Sequence, residues 1–176
     1  MVSIEEIDQQ VVEAPLSKEE AKGQFVRKKE HRAKLVEFES RIQGREGVLT
    51  GDAKDSYNPL KHTFAGGCYV REIFMPVGQL LVTKIHKKKH PFFLMSGEMS
   101  ILTEDGVQRI QAPYNGITHP GTKRIIYTHT DCVLVTVHAT DKTDVESVEE
   151  EVIAKDFNDP EITEYDIQLL TGGSLT

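Results

Sequence analysis

The chain has 176 residues, of which 38% are hydrophobic and 28% are charged, and its formal net charge is −7. This balance is typical of one globular domain with appended segments, which needs no disulfide framework or metal in order to fold. The acidic net charge argues against nucleic acid or an anionic membrane as the main partner. Cys68 and Cys132 lack metal-pair spacing, and the acidic N-terminus is unlike a signal peptide. We therefore expect a cytoplasmic protein with free thiols.

The first predicted element is a helix that follows a polar, acidic segment. Residues 1–16 are expected to form a flexible arm. Ser17 and Glu20 have the spacing of a capping box, so a helix should begin here and end near Gln43, with Gly44 in the left-handed conformation. Its apolar residues recur at helical spacing, at Leu35, Phe38 and Ile42. We expect this helix to lie across a sheet or against a second subunit.

Residues 17–67 form the second predicted unit, in which the helix is followed by an irregular connection over 45–67 that is rich in Gly, Asp, Asn and Pro. From residue 68 to 140 the pattern changes to short apolar or alternating runs that are separated by turn signals. Six or more short strands at this spacing indicate an all-β sandwich or barrel. Glu104-Asp105-Gly106 lies between two such runs and predicts a tight hairpin.

Residues 141–176 form an acidic C-terminal unit. Thr143 to Glu146 reads as a second capping box, and valines at helical spacing extend a short helix to about Lys155. Asp159-Pro160 is expected to end regular structure, which leaves a mobile tail. Asp141 to Asp166 is acidic and 17–44 is basic, so the two ends of the chain either attract each other or present two solvated faces, and the second interpretation is favoured.

Two segments carry a resemblance to a known family. Between Gly78 and Gly97 the chain keeps every interval of the first cupin motif, with Lys84 and His86 at the two His positions and His90 at the Glu position. The segment 113–128 keeps the intervals of the second motif. There Gly121 matches by identity, and Arg124 and Thr128 take the positions of the metal-binding His and the Asn.

The chain therefore resembles the cupin superfamily over about 70–140, and its segment order resembles uncharacterised cupin-like proteins of bacteria and phages. The resemblance implies a mainly β fold: a single cupin-type jelly-roll barrel over 68–140, with an N-terminal helix and a short C-terminal helix. It also implies a divalent metal held by His, His, Glu and His. Lys84 and Arg124 replace two of these ligands, so the family's metal site is expected to be degenerate and no cofactor is expected.

A cationic pocket for a small anion is the function that these replacements favour. If the barrel register holds, Leu80, Val82, Lys84 and His86 share an inward face, and Arg124 approaches from the second motif. With His90, this set could bind phosphate or carboxylate, and arginine can do so through two parallel hydrogen bonds. Glu72 and Glu98 are the candidate acidic neighbours if no anion binds.

Three alternatives stay open from the sequence. A divalent metal could be held by His86 and His90 with a third ligand from His119 or His138, which would suit a metal-dependent oxygenase or isomerase. A metal-free epimerase or isomerase of nucleotide-linked sugars would use His86 or His90 as base and Tyr127 as acid. A non-catalytic structural or assembly protein, including one derived from a phage, would need no pocket. Each allows a homodimer, which we expect because cupin barrels have exposed sheet edges and an apolar outer face.

Overall fold

The computed structural model describes residues 17–48 and 57–171. The predicted arm at 1–16 lies outside these ranges. The helices include α1 (Lys18–Ile42), α2 (Val145–Val152) and α3 (Pro160–Thr171). The strands are β1 (Leu60–Ala65), β2 (Cys68–Met75), β3 (Leu80–Val82), β4 (Ile85–His86), β5 (His90–Ser96), β6 (Glu98–Thr103), β7 (Gly106–Gln111), β8 (Tyr114–Thr118), β9 (Ile125–Thr128), β10 (Cys132–Ala139) and β11 (Ile153–Ala154).

The strands form two facing antiparallel sheets. One sheet has the order β1-β2-β10-β5-β8, and the other has the order β3-β9-β6-β7. Apart from the edge strand β1, the chain crosses repeatedly between four strands of one sheet and four of the other, which is the connectivity of a double-sheet jelly roll. The sequence-based prediction of a mainly β, jelly-roll architecture is confirmed.

The predicted hairpin and the N-terminal helix cap are both present. β6 and β7 pair in register from Glu98–Gln111 to Thr103–Gly106, so Glu104 and Asp105 form the connection. Ser17 and Glu20 form the reciprocal hydrogen bonds of a capping box at the start of α1. Gly44 follows the end of α1 with a φ of +74°, a conformation that glycine adopts at little cost.

The core lies between the two sheets. Alternate residues of each strand point inwards, and the most deeply buried of them belong to strands of both sheets. Burial of one such side chain contributes roughly 1.5–3 kcal/mol to the free energy of unfolding. The buried cluster consists of Ile73, Met75, Leu81, Phe92, Leu94, Met99, Ile101, Ile110, Ile126 and Cys132.

Two predictions about strand faces are wrong. On β10 the alternate valines at 133, 135 and 137 predict a core face from the sequence, yet Cys132, Leu134, Thr136 and His138 face inwards and the valines lie on the outer, partly exposed face. On β3, Leu81 is buried and Leu80 is exposed, the reverse of the predicted register. The strand breaks after Val82, and this irregularity shifts the alternation so that Lys84 and His86 still line the barrel interior.

Two elements appear where irregular structure was predicted. β1 lies within the expected connection 45–67 and pairs with the edge of β2. Because its residues are mostly exposed, β1 lacks the hydrophobic alternation by which a strand is predicted from sequence. Pro160 begins α3 instead of ending regular structure, because proline is well tolerated in the first turn of a helix. Asp159 precedes it and accepts a hydrogen bond from the backbone N–H of Glu161 at 3.0 Å.

The helices lie against the barrel of the same chain. α1 packs on α3, and Arg32 binds the carboxylate of Asp166 through two contacts of 2.5 and 3.1 Å. Lys123 in the loop before β9 contacts Glu39 of α1 at 3.0 Å. The basic and acidic ends therefore do attract each other through Arg32 and Asp166, and the favoured interpretation of two solvated faces is wrong at this pair. Nowhere in 17–48 or 57–171 is a helix long and apolar enough to cross a membrane.

Candidate functional site

A cavity of about 100 Å³ lies between the two sheets near one end of the barrel. Apolar side chains of the core form its floor, and polar and charged side chains gather towards its mouth. α2 and β11 form part of the wall at the mouth through Glu149, Val152 and Ile153. The polar lining consists of Tyr69, Arg71, Thr83, Lys84, His86, His90, Thr118, Arg124, Thr136, His138 and Glu149.

The four residues predicted to bind an anion all line this cavity. Lys84 and His86 come from the β3–β4 region, His90 begins β5, and Arg124 lies just before β9. The tight packing of β5 between β10 and β8 places His90 at the cavity wall with only 2% of its surface exposed. The segments of the two sequence motifs therefore meet at one site.

Lys84 lies at the outer edge of the site. Its Nζ contacts both carboxylate oxygens of Glu149 on α2 at 2.8 and 2.9 Å. The two side chains are 52% and 42% exposed, so solvent screens the pair and its contribution to stability is small. Lys84 therefore carries an acidic partner at the cavity mouth, and that partner comes from the acidic C-terminal unit.

The acidic neighbours expected from the sequence lie elsewhere. Glu98 accepts a hydrogen bond from Arg109 at 2.6 Å on the neighbouring strand. Glu72 alternates with the inward-facing residues of β2 and points to the outer face. Glu149 was not predicted as a site residue, and the excess of acid in 141–166 is the only signal in the sequence that could have indicated it.

Arg124 lies deeper in the cavity than Lys84, and its guanidinium contacts uncharged groups. Its Nη1 donates a hydrogen bond to Thr118 Oγ1 at 2.9 Å, and its guanidinium lies 4.9 Å from the centroid of the Phe92 ring. Within the part of the chain that the structure describes, Arg124 forms no ion pair. Burial lowers the pKa of the guanidinium, yet arginine stays protonated in proteins, so Arg124 brings a fixed positive charge into the cavity.

Three imidazoles cluster beside Arg124. The ring centroids are 4.0 Å apart for His90 and His138, 4.6 Å for His86 and His90, and 6.2 Å for His86 and His138. One ring nitrogen of each is buried and has no hydrogen-bond partner among the described residues: His86 Nδ1, His90 Nε2 and His138 Nδ1. His138 reaches the cluster from β10, because it lies on the face of that strand that points into the barrel, opposite the valines.

The cluster is held in the uncharged state. Burial lowers the pKa of His90 to about 4 and that of His138 to about 3. Burial, with a smaller effect of the neighbouring His90, also places the pKa of His86 well below its usual value. All three imidazoles are therefore neutral at neutral pH, and the positive charge of the inner cavity comes from arginine.

Two other residues named from the sequence lie outside the cavity lining. His119 lies in the loop before β9, and its Nδ1 is 3.2 Å from the Tyr165 hydroxyl on α3. Tyr127 is 42% exposed on the outer face of β9, opposite Arg124 and Thr128, because side chains alternate between the two faces of a strand. Thr128 itself is buried and donates a hydrogen bond to the carbonyl of Pro76, which is a structural role.

Comparisons with known proteins give matches at the level of structure only. No family model and no curated protein matches the chain. It is similar to a DMSP lyase from Ruegeria pomeroyi, with 14% identity, a TM-score of 0.46 and coverage of 57% of this chain and 55% of that one. It is also similar to an HTH_3 family transcriptional regulator from Vibrio cholerae, with 12% identity and a TM-score of 0.43. That match covers 52% of this chain and 56% of the regulator. The matched part is thus about half the length of each of these proteins.

A third match is the cupin_2 domain of an XRE family transcriptional regulator from Enterobacter cloacae, with 10% identity, a TM-score of 0.40 and coverage of 46% of this chain and 94% of that domain. The strand order of the two sheets is that of a jelly roll, and both motif segments bring side chains to one cavity. The strand order shows a double-sheet jelly roll, and the matches among solved structures include cupin domains. The cavity between the two sheets is the candidate site.

The residues at the cupin metal positions do not fit a metal. Two of the four are cationic, Lys84 and Arg124, and Lys84 is paired with Glu149. Arginine is not a practical ligand, and its charge repels a cation. With the side chains as they stand, no three His, Cys, Asp or Glu residues of the described ranges are arranged to hold one metal ion.

Proposed function

We propose that this chain is a ligand-binding protein whose cupin cavity holds a small anionic molecule, with Arg124 as the anchor. The observation that carries the proposal is a guanidinium in the barrel interior that hydrogen-bonds a hydroxyl, lies against an aromatic ring and forms no ion pair with any residue of 17–48 or 57–171. A charge removed from water is costly unless an opposite charge accompanies it. A carboxylate or phosphate in the cavity would supply that charge and could accept two parallel hydrogen bonds from Arg124.

The size and lining of the cavity narrow the class of anion. A volume of about 100 Å³ is well below the roughly 300–1,000 Å³ of pockets that enclose drug-sized ligands, which favours a small anion. The floor is formed by apolar side chains such as Ile73, Met99 and Ile126. These features favour a short carboxylate with an alkyl part, for which propionate is a simple representative, over a nucleotide-linked sugar.

The other functions are less well supported. A cavity with a polar lining favours ligand binding over a purely structural barrel, which needs no such space. General-base catalysis at neutral pH works best with a pKa near 7, whereas the pKa of His90 is about 4. Tyr127, the candidate acid of an epimerase-like site, lies on the outer face.

Calorimetric titration with propionate, butyrate and inorganic phosphate tests the proposal. We expect propionate or butyrate to bind at one site per chain, and Arg124→Gln to weaken that binding about tenfold or more, because a hydrogen bond to a charged group contributes roughly 1.5–3 kcal/mol. The matched control is Arg109→Gln, since Arg109 is exposed and pairs with Glu98 outside the cavity. Equal affinity in wild type and Arg124→Gln would exclude Arg124 as the anchor.

A further inference from the structure

His90 presents a hydrogen-bond acceptor to the cavity, and its other ring nitrogen fixes that role. His90 Nδ1 lies 3.0 Å from the backbone carbonyl oxygen of Lys88, which can only accept, so Nδ1 carries the ring proton and donates it. Burial lowers the pKa of His90 to about 4, so the ring holds a single dissociable proton at neutral pH. Nε2 is therefore left with a lone pair and no hydrogen, and it can accept a hydrogen bond but cannot donate one.

This acceptor is buried and has no partner within the chain as described. His90 is 2% exposed and lines the cavity, and its Nε2 forms no hydrogen bond with any residue of 17–48 or 57–171. Buried polar atoms of folded proteins nearly always have a partner, because an unpaired one has lost its bonds to water without replacement. A ligand group that donates a hydrogen bond to Nε2 would satisfy this atom.

The acceptor and the anion anchor lie close together. His90 on β5 pairs directly with Thr118 on β8, and side chains of such paired residues lie on the same face with their Cβ atoms about 4.5–5.5 Å apart. Thr118 Oγ1 accepts the hydrogen bond from Arg124 Nη1 at 2.9 Å. The Arg124 guanidinium also lies 4.9 Å from the centroid of Phe92, which is on the inward face of β5 with His90. One small ligand can therefore reach both Arg124 and His90.

We propose that the cavity selects a short hydroxycarboxylate, whose carboxylate binds Arg124 and whose hydroxyl donates a hydrogen bond to His90 Nε2. This inference rests on the proposed function, since it needs the anion at Arg124, and it adds the group that distinguishes the ligand from a simple alkyl acid. His90 is then a residue that determines specificity. A site that accepts a hydrogen bond from a hydroxyl discriminates against the analogue without it, because the buried acceptor is left unpaired.

The charge of the cavity favours a hydroxyl over an ammonium group as the donor. Arg71 and Arg124 both line the cavity, and their positive charges oppose a cationic ligand group in a site removed from water. Among the described residues of the lining, Glu149 alone is acidic, and it pairs with Lys84 at the mouth. A hydroxyl donates a hydrogen bond without adding charge, so a hydroxy acid suits this lining better than an amino acid.

Calorimetric titration of the wild type with matched acids tests the role of the hydroxyl. The set consists of propionate, racemic lactate, 3-hydroxypropionate, 2-fluoropropionate and 3-fluoropropionate, since fluorine is close to a hydroxyl in size but cannot donate. We expect at least one hydroxy acid to bind about tenfold or more tightly than both propionate and its own fluoro analogue, because those leave a buried acceptor unpaired. Hydroxy acids that bind no more tightly than propionate, or fluoro analogues that bind as tightly as the hydroxy acids, would overturn the proposal.

His90→Asn assigns the preference to the acceptor. Asparagine keeps an N–H near the position of Nδ1, which can still donate to the Lys88 carbonyl oxygen, and has no atom at the position of Nε2. We expect this variant to bind propionate like the wild type and to lose the preference for the hydroxy acid. His129→Asn is the matched control, because His129 contacts Ser100 outside the cavity and should keep the preference. A full preference in His90→Asn would exclude His90 as the acceptor.

The two proposals fail separately. Arg124→Gln should weaken the binding of every acid in the set, whereas His90→Asn should weaken only that of the hydroxy acid. A wild type that binds propionate and both hydroxy acids equally would overturn the role of His90 and leave the anion site intact. A wild type that binds none of the acids would overturn the anion site itself. The wild-type series does not depend on whether any variant folds.

Discussion

Two glycines of the first sequence motif have different reasons to be glycine. Both have positive φ, +77° at Gly78 and +90° at Gly97, where a side chain is strained. A Cβ at Gly78 would meet nothing within 4 Å, but one at Gly97 would lie 2.3 Å from the backbone oxygen of Asp131 and 2.7 Å from Cys132 Sγ. Gly97 therefore permits close approach of the β5–β6 turn to β10, in addition to the turn itself.

We predict that Gly97→Ala lowers the free energy of unfolding by at least about 2 kcal/mol, since strain and a backbone clash act together. Gly78→Ala, which has the strain without the clash, is the control and should cost about 1–2 kcal/mol. Urea denaturation of both variants measures the difference. Equal losses of unfolding free energy in the two variants would show that the clash with Asp131 is relieved by movement and does not destabilise the fold.

At the level of single residues, the sequence predicted which side chains line the cavity but not which residues pair with them. The intervals of the two motifs placed Lys84, His86, His90 and Arg124 near one cavity, and the structure has them there. The partner Glu149 could not be predicted, since it lies 65 residues along the chain from Lys84. His138 was named from the sequence, but its direction could not be, because either face of an apolar strand can form the core.

Among the elements, α1 is held on the barrel by a buried ion pair, in addition to the contact of Glu39 with Lys123. Arg32 and Asp166 are each only 12% exposed, and Arg32 Nε also donates to the carbonyl oxygen of Gly121 at 3.3 Å. α1 buries only Ala21 and Leu35 fully, so apolar contacts alone hold it weakly. The pair therefore has an unusually large share in docking this helix.

We predict that Asp166→Asn releases α1 from the barrel, because it leaves the Arg32 charge buried and unpaired, at a cost of about 3–5 kcal/mol. Hydrogen exchange should show faster exchange of α1 amides while β5 and β10 stay protected. Glu37→Gln removes the exposed partner of Arg41 within the same helix and should change α1 exchange little. Unchanged α1 exchange in Asp166→Asn would assign the docking to other contacts.

Elements with strong local signals could be predicted, and those that depend on tertiary contacts could not. The capping box at Ser17 and the turn at Glu104-Asp105-Gly106 are local, and both are present. β1 has almost no buried residue, so its strand structure comes from pairing with β2 and leaves no hydrophobic pattern. For α3, a proline can either end a helix or occupy its first turn, and the sequence does not distinguish the two. Pro160 occupies the first turn of a helix that packs on α1.

For the whole molecule, the homodimer stays a prediction, and the structure indicates which face it would use. The outer face of the five-stranded sheet exposes Phe74, Met95 and Ile117 at 38%, 61% and 47%. The half-exposed valines of β10 lie between them in the same sheet. A two-fold dimer buries the same patch on both copies, so a second copy of this chain could cover this apolar face. α1, the other expected contact, packs on its own chain.

We predict a dimeric mass in light scattering for the wild type. Met95→Glu combined with Val135→Glu should give a monomer, because both carboxylates would be buried at the interface. Val107→Glu is the control, since Val107 is an exposed apolar residue of β7 in the other sheet, with 70% exposure. A monomeric wild type, or an equal effect of Val107→Glu, would exclude this face.

The position of the acidic helix α2 has a consequence for how fast the cavity exchanges its contents. Glu149 lies at the mouth, and the following residues are tied to the barrel by Lys87, whose backbone N–H donates to the Val152 carbonyl and whose Nζ donates to that of Glu150. An incoming anion meets the Glu149 carboxylate at the mouth before it reaches Arg124. Because like charges repel, association would be slow, and dissociation of a tightly bound molecule would be slow as well. Occupancy of the cavity would therefore follow the time-averaged concentration of the anion rather than brief changes in that concentration.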